Sequence, residues 1–87
     1  MSFDSTMIFS TNMNRTEIET TMGECRVFAV AADLPAVARL LTSINGLPAA
    51  ELKSRITSCL RQLGGKDEYA LLIDKLDMVL INLPNLG

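Results

Sequence analysis

A chain of 87 residues has room for one domain, near the lower limit of what folds without disulfide or metal support. Its hydrophobic fraction of 48% can supply a core, but with three Phe, one Tyr and no Trp that core must be aliphatic. A formal charge of −2 argues against generic attraction to nucleic acid or anionic membrane, and the absence of His removes the commonest general base and metal ligand.

Charge is unevenly placed along the chain. Residues 1–38 carry Arg15 and Arg26 against five acids, a net of −3. Residues 39–66 carry Arg39, Lys53, Arg55, Arg61 and Lys66 against Glu51 alone, a net of +4. Residues 67–87 return to −3, with Lys75 against Asp67, Glu68, Asp74 and Asp77. A basic middle between acidic ends is either a binding face or a means for neighbouring helices to attract one another. Two cysteines, Cys25 and Cys59, form neither a disulfide framework nor a metal-ligand spacing, and each has apolar neighbours. The first residues lack a basic stretch followed by a continuous apolar run, and no segment approaches transmembrane length. A cytoplasmic location is expected, with no cofactor and no membrane partner.

Residues 1–14 are rich in Ser, Thr, Asn and Met, with Phe3, Ile8 and Phe9 scattered through them. No period emerges, which predicts a flexible arm ahead of a single helical domain over 15–87. The arm either stays unstructured or packs Ile8 and Phe9 onto a partner.

Thr16-Glu17-Ile18-Glu19 fits a capping box, in which the Thr16 hydroxyl and the Glu19 carboxylate satisfy each other's backbone amides. Ile18, Met22, Cys25 and Ala29 follow at helical spacing, predicting a first helix over 17–32. Gly23 weakens it by roughly 1 kcal/mol relative to Ala. Val27 and Phe28 favour a strand over 25–30, but no second strand pattern offers a pairing partner. Helix is the better reading.

Asp33-Leu34-Pro35 breaks the chain and restarts it, with Asp33 placed to cap a second helix over 34–44. Val37, Leu40, Leu41 and Ile44 share one side of it, and Asn45-Gly46 provides its exit. Leu47-Pro48 opens a third helix over 49–63, with Leu52, Ile56, Cys59, Leu60 and Leu63 as its apolar stripe. Gly64-Gly65 stops it. Asp67 is placed to cap a fourth helix that runs to Leu83-Pro84. The short link predicts an antiparallel hairpin of the third and fourth helices.

That last helix carries an excess of apolar surface. Tyr69, Leu72, Leu76, Val79 and Leu83 recur in steps of three and four, the spacing of a helix packed lengthwise on another. Ile73 and Leu80 widen the stripe, while Leu71, Met78 and Ile81 add apolar surface elsewhere on the cylinder. One small domain has difficulty covering all of it, which predicts a homodimer or a protein partner. The candidate interface is Leu71, Leu72, Leu76, Met78, Val79, Ile81 and Leu83. Leu72, Leu76 and Leu80 are expected to meet the third helix, leaving Leu71, Met78 and Ile81 for a partner.

No catalytic constellation emerges. Arg55 and Arg61 flank Cys59 in sequence, a setting that favours a thiolate, but Cys59 sits on the apolar stripe and reads as a buried, inert thiol. Asp74 and Asp77 read as a solvated face. Gly64-Gly65-Lys66 lacks the upstream glycine and following Ser or Thr of a phosphate loop. The chain is read as a non-enzyme. Lys53, Arg55 and Arg61 are candidate nucleic-acid contacts, because two copies of a basic third helix would hold phosphates without reading sequence.

The run KSRITSCLRQLGGKDEYALLIDKLDMVL resembles the core of the YmgB/AriR family of small enterobacterial biofilm and acid-resistance regulators. Residues 36–46 look like that family's Ala/Leu-rich helix ending near Gly. Residues 53–63 look like its Lys-led apolar helix, and Leu76-Asp77-Met78-Val79-Leu80 like its final segment. The likeness spans about fifty residues, from roughly 34 to 83; Gly64-Gly65 in the link and the N-terminal segment have no counterpart. The resemblance implies an all-helical homodimer that regulates or connects a two-component phosphorelay, with non-specific DNA contact in addition and no catalytic residues. Together these readings predict an all-α bundle of three to four helices, completed by homodimerisation. Its expected function is that of a small regulator acting through protein–protein interaction. The alternatives are a dimeric DNA-binding transcriptional regulator and a phage- or plasmid-encoded inhibitor.

Overall fold

The computed structural model describes residues 12–86, which fold as four α-helices with no strand among them. The helices are α1 (Arg15–Ala31), α2 (Pro35–Leu40), α3 (Ala49–Leu63) and α4 (Ala70–Asn82). Residues 1–11 of the expected arm, Ile8 and Phe9 among them, lie outside the described residues. The arm's last two residues belong to the fold: Met13 packs against the core and Asn14 caps α1.

α1 starts two residues earlier than its sequence suggests. Asn14 Oδ1 accepts from the Glu17 amide at 2.8 Å, and the Asn14 amide donates to Glu17 Oε1 at 2.9 Å. Asn at least matches Thr as an N-cap, so the earlier box captures the helix start. Glu19, relieved of capping, accepts from the Gly46 amide at 3.0 Å and pairs with Arg15. Chiefly the Gly46 bond, with Arg15 assisting, holds its carboxyl below the usual carboxylate range. The stretch that was open to a strand reading is helical, and Ile18, Met22, Cys25 and Ala29 are its buried face.

α2 is the element that departs most from expectation. Asp33 does not cap it; Asp33 occupies the left-handed region at φ 60°, which Asp tolerates better than most residues. Leu34 precedes the helix without a side-chain cap, and Pro35 fills the first turn, where no amide donor is needed. The helix then stops at Leu40 instead of running to Ile44. Thr42 Oγ1 donates back to the Ala38 carbonyl at 2.8 Å, and Arg55 Nη1 donates to the carbonyls of Leu40 and Thr42 at 3.0 and 2.9 Å. Those bonds satisfy carbonyls that a longer helix would have used. The turn that follows, with Ser43 at φ 56°, still buries both Leu41 and Ile44.

α3 has the expected bounds. Pro48 stands just ahead of it as the N-cap, and Gly64 at φ 64° takes the left-handed exit that an L side chain would strain. The Gly64 amide donates to the Leu60 carbonyl at 3.1 Å, as that exit requires. The last helix is shorter than expected, because Asp67–Tyr69 form a 3₁₀ turn before α4 and Leu83–Leu86 form another after it. Asp67 makes no capping bond.

One core joins all four helices, and it is aliphatic except for Met22, Cys25 and Cys59. α4 lies chiefly along α1 and only secondarily along α3, so the hairpin is not its main contact. Met13 meets Asn82, and Lys75 Nζ stands 3.6 Å from Glu24 Oε1, which sets α1 and α4 antiparallel. The buried polar residue in this core is Asn82. Its Oδ1 accepts from the Met13 amide at 3.0 Å, and its Nδ2 donates to the Met78 carbonyl at 2.8 Å. Asn82 therefore ties the entrance of α1 to the end of α4.

Candidate functional site

The seven candidate interface residues of the last helix divide cleanly by burial. Leu72, Leu76 and Val79 have no exposed surface and Leu83 is 3% exposed, all within the chain's own core. These four are corrected from interface to core. Helical geometry gives the reason: at 3.6 residues per turn, 72, 76, 79 and 83 line one stripe, and α1 and α3 cover that stripe from two sides.

Leu71, Met78 and Ile81 lie on the opposite face and are 61%, 47% and 64% exposed. α1 matches them with an apolar pair of its own. Val27 and Val30 are 62% and 61% exposed, on the side of α1 away from Ile18, Met22, Cys25 and Ala29. The spacing from Gly23 through Val27 to Val30 places all three on that outer side, and the space beyond the Gly23 Cα is open. Glu24 and Lys75 bridge α1 and α4, while Val30 lies beside Leu34, Pro35 and Ala38 at the start of α2. Val27 and Val30 were missed in sequence because they read as part of a buried or strand-forming run.

The three basic candidates do not converge. At about 100° per residue Arg55 falls on another side of α3 from Lys53 and Arg61, which share a side but stand eight residues, about 12 Å, apart along the axis. Arg55 is also engaged: besides the two carbonyls, its Nε donates to Glu51 Oε2 at 3.3 Å. It lines, with Arg39, Thr42 and Ser43, a surface hollow of about 610 Å³ between α2 and α3. There it acts as a clasp on the loop after α2. Replacing Arg55 with Ala should lower folding stability by about 1.5–3 kcal/mol, the usual worth of hydrogen bonds to a charged group. Lys53→Ala and Arg61→Ala should stay within about 0.5 kcal/mol of the parent chain. Urea titration of the three variants checks this, and equal losses would sink the clasp role of Arg55.

The cysteines face inward. Both are fully buried, and Cys59 Sγ lies 4.0 Å from the Val37 carbonyl. Burial pushes each thiol up to about 11, against weaker opposing effects from Lys75 at Cys25 and Arg55 at Cys59. A thiol so placed stays protonated at neutral pH and is a poor nucleophile. Among the described residues, no group of three or more His, Cys, Asp or Glu could hold a metal ion, and no helix is long and apolar enough to cross a membrane.

What the surface offers is therefore shape and apolar area, concentrated on the outer faces of α1 and α4. No protein-family model, no curated protein and no solved structure matches the chain.

Proposed function

We propose that this chain is a small non-enzymatic regulatory protein that dimerises and acts by binding another protein, using the outer faces of α1 and α4. The observation that carries the reading is the exposure of Val27, Val30, Leu71, Met78 and Ile81, five large apolar side chains on two helices that pack side by side. Large apolar side chains exposed together on one helix face, as Leu71, Met78 and Ile81 are, mark an interaction surface more often than scattered ones. A two-fold axis needs a patch that complements itself, and an apolar patch meets that need without pairing of charges. The thiols, held protonated in the core, weigh against nucleophilic chemistry and so favour binding over catalysis. The resemblance to the YmgB/AriR family supports placing that binding in the bacterial cytoplasm, as a connector of a two-component phosphorelay. The DNA-binding reading has less behind it, since Arg55 is occupied and leaves only Lys53 and Arg61, two turns apart on α3.

Sedimentation equilibrium at tens of micromolar should return the mass of two protomers. Leu71→Ser with Ile81→Ser should weaken the dimer at least a hundredfold, since burying each such side chain contributes about 1.5–3 kcal/mol. Each separated protomer should keep its helical circular dichroism, because neither side chain belongs to the core. A wild-type mass of one protomer would remove the dimer.

A further inference from the structure

A second surface lies at the end of the bundle where α3 begins and α4 finishes. Ala49, Ala50, Leu80, Leu83 and Pro84 form an apolar groove of about 360 Å³, and Lys53 is its one charged lining residue. That volume is near the low end of pockets that hold a ligand, about 300–1,000 Å³, and suits one or two apolar side chains. We propose that the groove is the docking site for the chain's own N-terminal segment, with Ile8 and Phe9 as the side chains that enter it.

Chain path and chemistry both support this occupant. The Met13 amide is held 3.0 Å from Asn82 Oδ1, and Asn82 directly precedes Leu83, a groove residue. On the other wall, Arg15 Nη1 donates to the Leu47 carbonyl at 2.9 Å, two residues before Ala49. The described fold therefore begins close to the end of α4 and the turn before α3, the two elements that form the groove. Phe9 lies four residues before Met13, about 13 Å of extended chain at roughly 3.3 Å per residue, ample to reach Leu80 from the Asn82 anchor. Residues 1–11 contain one charge, Asp4, opposite in sign to Lys53. Met7, Ile8 and Phe9 are also that segment's one consecutive apolar run. The tether raises the effective concentration of this guest above that of a free peptide of the same sequence. This groove is separate from the outer face of α1 and α4, so either proposal can fail without the other.

Nuclear Overhauser spectra of the full chain test it. Contacts are expected from the Phe9 ring to the methyl groups of Leu80 and Leu83, and Ala50→Glu should abolish them. Ala50 is exposed in the first turn of α3, where an acid suits the helix dipole, so that variant keeps the fold. A parallel readout is Phe9→Trp, which gives the chain its sole Trp. Acrylamide should quench it severalfold less than a free indole, and Ala50→Glu should restore full quenching. Absence of the contacts together with quenching like a free indole would overturn the proposal. So would contacts that appear only between differently labelled copies, which would assign the groove to a second chain's segment.

Discussion

Leu76→Asp is expected to unfold the chain, while Leu71→Asp, five residues earlier on the same helix, leaves it folded. Leu76 has no exposed surface and sits midway along α4 in the shared core. Truncating such a leucine to Ala already costs about 2–5 kcal/mol in lost burial and residual cavity. Asp adds the cost of an ionised carboxylate with no partner, further kcal/mol that protonation relieves only in part. A domain of this size has roughly 4–13 kcal/mol to lose, at 0.05–0.15 kcal/mol per residue. Leu71 is 61% exposed, and its replacement should shift folding stability by no more than about 0.5 kcal/mol. Far-ultraviolet circular dichroism of the two variants decides the matter. A helical Leu76→Asp would refute the assignment of α4's faces.

That contrast also shows where sequence reading succeeds and where it stops. The bounds of α3 were legible because three local signals agree: Pro48 before it, a regular apolar stripe within it, and Gly64 after it. The apolar stripe of α4 was legible from spacing, because burial on one side of a helix imposes its own period, but spacing alone did not keep Leu72, Leu76, Val79 and Leu83 out of the expected interface. Which helix covers that face was not. A three-residue link argues for the hairpin neighbour, yet α1, more than thirty residues away in sequence, takes the larger share. Chain proximity is a weak guide once a third helix competes for the same stripe.

The other misses concern polar side chains that act at a distance. Arg55 read as a free cation, although Glu51 one turn earlier hinted at an internal pair; its bonds to Leu40 and Thr42 have no sequence signal. Those bonds end α2 early, so the error in the second helix and the error about Arg55 share one cause. Asn82 likewise gave no sequence signal of its role. It is a buried tie between the start of α1 and the end of α4, formed by residues 69 positions apart. Local propensity cannot register a bond of that range.

The cysteines provide the second large effect, and it is a pH effect. Each thiol is pushed from an ordinary 9.0 up to about 11 by burial. In the folded chain both stay protonated through that interval, whereas in the unfolded chain both ionise above pH 9. The unfolded state therefore binds fewer protons, and stability falls as pH rises. The contribution is fully present below pH 9 and lost by about pH 11. At 1.36 kcal/mol per pH unit, shifts of this size are worth on the order of a few kcal/mol, a sizeable part of the whole. Urea midpoints measured under reducing conditions from pH 8 to 11 should fall steeply in the parent chain. The Cys25→Ala, Cys59→Ala double variant starts lower because it leaves small cavities, but its decline should be distinctly shallower. The difference in slope between the two proteins is the diagnostic quantity. Parallel curves for the two proteins would show that the thiols are not held in the core as described.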